Sequence, residues 1–294
     1  MKGGFPLGLR YAAAGAFSFS LMSAFAKLLG GRIPTQEIIL SRGLITTLMT
    51  WFALNRAGLS PWGKGERPLL ILRGLFGYGA LSCFLWAVVR LPLADTTVIH
   101  FTNPVFTALL AALFLGEVIR RKEVGLALLA LGGVVIIARP EFLLGHASSL
   151  DPRAVTVALL GAFLSACAYV SVRRLTRSNH PLVIVFAFAL VTVIVGVPAT
   201  FPVFVMPRGA EWLLLLGVGV ATQGGQVFVT RALQLEMAGR AMTVGYLQIV
   251  FAALWGLLFF SEIPDLWTAL GGLIIIFSTY LMSRSHPVAT PPGR

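Results

Sequence analysis

The sequence predicts an all-α integral membrane protein of ten transmembrane helices, arranged as two inverted five-helix repeats. Three observations carry that reading. The 294 residues are 57% hydrophobic and only 12% charged, about half the charged fraction of an ordinary soluble domain. Apolar runs of roughly 20 residues, the length a helix needs to cross a hydrocarbon core of about 30 Å, recur from end to end. The second half of the chain also repeats the plan of the first at a shift of 144 to 146 residues.

The spans fall at 9–29, 35–55, 68–89, 94–115 and 122–139, then at 153–172, 182–204, 211–233, 239–260 and 265–283. The first carries Ser20, Ser23 and Lys27 at spacings of three and four. It could be taken for a cleaved signal, since "AFAK" offers an Ala-x-Ala site at Ala24 to Ala26. The repeat argues otherwise: "GAFSFSLMSAFAK" (15–27) aligns with "GAFLSACAYVSVR" (161–173) in the sixth span. The second span contains Arg42, about 10 Å from a start near Thr35. The third places Tyr78, Ser82 and Trp86 in an apolar run, and the fourth contains His100, Asn103 and Pro104. The fifth is Gly-rich, "GLALLALGGVVI" (125–136). The seventh and tenth are largely apolar, the eighth holds "TQGGQVFVT" (222–230), and the ninth holds Tyr246 and Trp255. Beyond the last span, "SHPVATPPGR" reads as a solvated terminus. Cys83 and Cys167 both fall in spans, which suits reduced, packed thiols.

The net charge of +12 raises the question of nucleic acid, and its location answers it. With both termini cytoplasmic, 15 Lys and Arg residues lie in cytoplasmic segments. Five (Arg32, Arg90, Arg139, Arg153 and Arg208) lie at the other face. This is the bias that orients a membrane protein, so no nucleic-acid partner is implied. Lys27, Arg42 and Arg73 are left within spans. Lys27 and Arg73 are near enough to a helix end to snorkel, whereas Arg42 is not.

The same shift relates Leu91 to Leu235, Ala94 to Ala238, Ala108 to Ala252 and Glu117 to Glu262. The repeats therefore occupy 1–148 and 149–294. Because five is odd, two copies running in the same chain direction sit upside down relative to one another. Loop charges agree. "EVIRRKE" after the fourth span has three basic residues and its counterpart "EIPD" none; the loop after the sixth span has three and its counterpart only Arg32.

Two five-helix halves, a Pro in the fourth span, and a span ending in "LGE" (115–117) before the Gly-rich fifth resemble the drug/metabolite transporter superfamily, EamA type. The resemblance covers roughly residues 9 to 284. The second copy departs from it, with Gln248 in place of Pro104 and "FSE" (260–262) in place of "LGE". The stretch "RGLFGYGALSCFLWAVVRLPLAD" (73–95) is similar to a branch that includes solute carrier 35G-like and bacterial S-adenosylmethionine or riboflavin carriers. The resemblance implies carriage of a small metabolite across the bacterial inner membrane by alternating access, and an Arg at the place of Arg42 also fits the family pattern.

In carriers built from inverted repeats, substrate sits near the midplane on polar helix faces. Thr96, His100, Asn103 and Thr107 are spaced four, three and four apart, which stacks them on one face. Pro104 lacks an amide hydrogen and frees a carbonyl one turn back, near His100. Gln223, Gln226 and Thr230 repeat that logic in the eighth span. The candidate substrate-binding residues are Arg42, Tyr78, Trp86, His100, Asn103, Gln223, Gln226 and Tyr246. Arg42 is either a partner for a substrate carboxylate or phosphate or a structural partner of Glu37. Neutral polar groups, aromatics and one Arg suit an amino acid or a planar metabolite.

None of the 11 acidic residues lies at mid-membrane, so a proton route would rest on His100; exchange or facilitated diffusion needs no such group. Glu117 and Glu262 are each placed to cap the helix that follows. No catalytic residue, metal site or cofactor is expected, and the assembly is a monomer or a homodimer in the lipid bilayer. A channel would share the spans and stripes, but would favour pore-lining rings from several subunits. An acyltransferase-like enzyme would have to use "HASSLD" (146–151), an isolated His-x4-Asp spacing in the linker between repeats.

Overall fold

The computed structural model describes residues 7–63, 65–115, 125–126, 128–129, 132–133, 136, 150–175, 178–235, 244–245 and 247–285. Among these the helices are α1 (Leu7–Leu29), α2 (Thr35–Arg56), α3 (Arg67–Arg90), α4 (Leu93–His100), α5 (Asn103–Leu115), α6 (Pro152–Leu175), α7 (Pro181–Thr200), α8 (Ala210–Leu235), α9 (Leu247–Phe260) and α10 (Leu266–Ser285). No strand occurs among the described residues. Six helices (α1, α2, α3, α6, α7 and α8) are long and apolar enough to cross a membrane. Large apolar side chains such as Leu48, Phe52, Ile194 and Leu213 point outward, as they do where the solvent is hydrocarbon. Most of the expected fifth span, 122–139, lies outside the described residues.

One expected span is corrected. The stretch 94–115 is not a single helix: α4 ends at His100 and α5 begins at Asn103. Pro104 cannot donate to the His100 carbonyl. The amides of Phe101 and Thr102 bond to carbonyls three or four residues back, at Thr97, Val98 and Ile99; Val105 then makes a three-residue bond to Thr102, and the four-residue ladder restarts when Phe106 bonds to the same carbonyl. The seventh span also stops short of 204. After Thr200 the chain tightens into a 3-10 turn, Phe201–Val203, at Pro202.

Packing is reciprocal between the halves. α1 packs chiefly against α8, α3 chiefly against α6, and α2 against α7. Two glycines set how close the first two pairs come. A Cβ on Gly15 would stand 2.7 Å from Val229 Cγ2, and one on Gly161 would stand 3.0 Å from Cys83 Cβ and 3.3 Å from the Ala80 carbonyl oxygen. Gly15 and Gly161 are equivalent under the 146-residue shift, and so are Cys83 and Val229. Contacts of this kind let helix backbones approach without a hydrophobic driving force, which lipid does not supply. Among the described residues the largest buried apolar cluster joins α1, α2, α3, α4, α8 and α9 through residues such as Ala24, Ile38, Leu85, Leu93, Val218 and Ala252.

Candidate functional site

The break between α4 and α5 exposes a difference within the expected stripe. The hydroxyls of Thr96 and Thr107 donate to the carbonyls of Pro92 and Asn103, at 3.1 and 2.8 Å. Thr97 and Thr102 likewise donate to Leu93 and Ile99. These four hydroxyls serve the backbone. His100 and Asn103 do not: His100 Nδ1 and Asn103 Oδ1 are buried without a hydrogen-bond partner. A buried polar atom left unmet costs about 1–3 kcal/mol, and such atoms in a native fold call for an explanation such as a ligand. The His100 ring rests on Phe84, centroids 4.6 Å apart.

α2 contributes a face that the sequence reading did not assemble. Arg42, Thr46 and Thr50 follow one another at spacings of four, so they share one side of the helix, and all three are buried. The Thr50 hydroxyl donates to Gln223 Oε1 at 3.3 Å, tying α2 to α8. Gln226 is half-buried three residues further along α8. Thr46 Oγ1 and Thr222 Oγ1 are buried and unmet. The Tyr78 hydroxyl donates to Gln36 Oε1 at 2.6 Å, which fixes its ring between α2 and α3. Trp86 is placed differently from these residues: its ring is covered by the Arg90 guanidinium, 3.8 Å from the centroid at the end of α3. Trp255, on α9, donates to Ser20 Oγ at 3.0 Å and stacks on Phe259. Tyr246 lies outside the described residues, as does Glu117.

Of the cations inside the spans, Lys27 and Arg73 depart from the expectation, and Arg42 loses one of its two readings. Arg42 does not pair with Glu37, whose Oε2 instead accepts from the Val205 amide at 3.0 Å. Arg73, expected to snorkel, is only 8% exposed and lies against Phe188, 4.1 Å from the ring centroid. Lys27 does not snorkel either. Its ammonium donates to the Leu91 carbonyl at 2.7 Å and to Glu262 Oε1 at 2.5 Å, 5.1 Å from the Phe260 ring centroid.

Glu262 therefore does something the sequence did not reveal. Its Oε2 accepts from the Leu93 amide at 3.0 Å, so it caps α4 rather than the helix that follows it. The cap of α10 is Asp265, whose Oδ1 accepts from the Thr268 amide at 2.8 Å. Ser261 makes this possible by turning the chain through a left-handed φ of 54°, after which the Glu262 amide closes on the Gly256 carbonyl. A latch results: α1, the α3–α4 corner and the loop after α9 meet on one ion pair, with Lys27 and Glu262 side chains 10% and 27% exposed. Beside it lies a cavity of about 200 Å³ lined by Pro92, Asp95, Glu262 and Asp265 among others. Asp95 accepts from the Thr268 hydroxyl at 2.5 Å. Further out, Arg32 pairs with Glu211, and that carboxylate holds the Arg32 guanidinium above its ordinary pKa.

This arrangement contains no groups of three or more His, Cys, Asp or Glu able to hold a metal among the described residues. What it offers instead is a set of buried, unmet donors and acceptors on α2, α3, the α4–α5 break and α8, inside a bundle latched at one end.

Residues 6–139 and 152–284 each match the EamA-like transporter family. The chain is 38% identical over 279 residues to the pseudopaline exporter CntI of Pseudomonas aeruginosa, covering 95% of this chain and 96% of that one. It is 33% identical to mouse solute carrier family 35 member G1, covering 93% and 77%, and 27% identical to the S-adenosylmethionine uptake transporter of Rickettsia felis, covering 92% and 95%. A solved crystal structure shares the fold at a TM-score of 0.63 and 20% identity, over 92% of this chain and 97% of that one. The chain is a multi-pass membrane transporter and belongs to the EamA-like transporter family.

Proposed function

We propose that this protein carries a small metabolite, an amino acid or a planar metabolite, across the bacterial inner membrane by alternating access. Both termini are cytoplasmic, and the two inverted repeats, 1–148 and 149–294, form the two rocking halves. The observation that carries this reading is the α4–α5 break, where His100 Nδ1 and Asn103 Oδ1 are buried and unmet. Irregular backbone at membrane depth persists where it is buried in protein or lines a cavity, and carriers place substrate at such breaks. Arg42, Tyr78, Gln223 and Gln226 extend the site, and Trp86 and Tyr246 are further aromatic candidates for substrate contact. The reciprocal packing of α1 on α8 and of α3 on α6 supports two equivalent halves. The Lys27–Glu262 latch supports closure at one end while the other serves as the route in or out. The named relatives export one solute and take up another, and alternating access serves either direction.

A thermal-shift screen of a metabolite panel on purified protein tests the proposal. A ligand of the folded state raises the unfolding temperature by mass action, and uptake of that same solute into proteoliposomes is expected to saturate. Uptake that rises linearly with concentration would instead indicate a channel, and turnover of a lipid substrate would indicate an enzyme.

A further inference from the structure

Arg42 and Arg73 reach one point in the bundle from two helices. Arg42 lies seven residues into α2 and Arg73 six residues into α3; the two helices run in opposite directions, so the side chains approach Phe188 from opposite ends of the bundle, each from about 10 Å along its helix. They are 4% and 8% exposed. Their guanidinium carbons stand 5.7 and 4.1 Å from the centroid of the same ring, Phe188 on α7. Nε of Arg42 and both Nε and Nη1 of Arg73 are buried without a hydrogen-bond partner. Among the described residues no carboxylate meets either cation. Glu37 accepts from the Val205 amide through Oε2, its buried Oε1 meeting neither guanidinium, and Glu66 pairs with Arg174. Among the described residues the Tyr169 phenol also lies near Arg73, and a phenol supplies no balancing carboxylate.

Two like charges buried around one ring repel each other. The ring face attracts a cation, but far less than the loss of water costs it. Charge balance here requires an anion, and the forked donors of a guanidinium match the oxygens of a carboxylate or phosphate. We propose that Arg42 and Arg73 form a two-guanidinium clamp, and that the transported solute is a small organic acid whose carboxylate or phosphate binds between them. This rests on the transport reading above and narrows its substrate class.

The test uses the whole protein in liposomes, incubated with a uniformly 13C-labelled bacterial metabolite extract, with vesicle contents read by mass spectrometry against protein-free vesicles. The expected result is enrichment of solutes that bear a carboxylate or phosphate and are net negative at pH 7. Their uptake should fall at least tenfold in both Arg42→Gln and Arg73→Gln. Both variants should unfold, without added solute, at or above the wild-type temperature, because each removes a buried unpaired charge. Neutral or cationic solutes carried equally by wild type and Arg73→Gln would overturn the clamp and leave the transport reading standing. A Gln variant that binds and carries the acid normally would also overturn it. No enrichment over protein-free vesicles would overturn the transport reading, and the clamp with it. If Arg73→Gln does not fold, Arg73→Lys carries the same comparison: a clamp requires a loss despite retained charge.

Discussion

Glu262→Ala opens the latch, and its cost can be worked from the contacts it removes. Two hydrogen bonds to a charged acceptor go, from Lys27 Nζ at 2.5 Å and from the Leu93 amide at 3.0 Å. Lys27 is left with the Leu91 carbonyl and the face of the Phe260 ring. Hydrogen bonds to charged groups contribute about 1.5–3 kcal/mol each, and removing one member of a buried pair costs about 3–5 kcal/mol. Because Glu262 is 27% exposed, the lower end applies, about 3 kcal/mol. Glu262→Gln keeps an acceptor for Leu93 and loses only the charge, so about 1–2 kcal/mol is expected. Each 1.4 kcal/mol is tenfold in the closed-to-open ratio.

The assay is maleimide labelling of Thr96→Cys in a Cys83→Ala, Cys167→Ala background, since Thr96 is fully buried on α4 just behind the latch. Labelling should accelerate more than tenfold with Glu262→Ala and several-fold with Glu262→Gln. Lys27→Met combined with Glu262→Ala should cost less than the sum of the single changes, because the two share one interaction. Equal labelling rates in the parent and Glu262→Ala proteins, or strictly additive effects, would refute the latch.

Three further outcomes follow from the geometry. His100→Ala and Asn103→Ala should leave the protein folded while weakening substrate binding by about 0.5–1.5 kcal/mol each, measured by ligand-dependent thermal shift; lost stability with unchanged affinity would make them interhelical contacts. Gly161→Ala should destabilise the protein by about 1–3 kcal/mol, seen as earlier thermal unfolding, because the added Cβ meets the Cys83 Cβ and the Ala80 carbonyl oxygen; unchanged unfolding would show that the α3–α6 seam yields. A reporter fused after Ser178 should read cytoplasmic and one fused after Arg32 external; identical readings would end the inverted-repeat proposal.

The membrane class and most helix limits were legible because length and hydropathy are properties of the chain itself. Leu7–Leu29, Thr35–Arg56 and Arg67–Arg90 fall within two residues of the limits read from apolar runs. The α4–α5 break was half legible. Pro104 marked a freed carbonyl, but whether a helix bends or ends there depends on the tertiary contacts around it. Arg42, Thr46 and Thr50 follow a spacing of four that could have been seen once Arg42 was singled out. Arg73 could not: six residues from a helix start, an Arg can snorkel or turn inward, and only the position of Phe188 on a distant helix decides. Glu262 was recognised as a cap, but the helix it caps lies 169 residues away, and local sequence carries no sign of that.

Trans-stimulation separates one alternately opened site from a continuous pore. Vesicles holding the reconstituted protein are loaded with a labelled solute identified by thermal shift, and its efflux is timed with and without the same unlabelled solute outside. A carrier that reorients faster when loaded predicts efflux accelerated several-fold by outside solute and slowed by His100→Ala and Asn103→Ala. Efflux indifferent to outside solute, and unchanged in those variants, would contradict a single site opened alternately to the two sides.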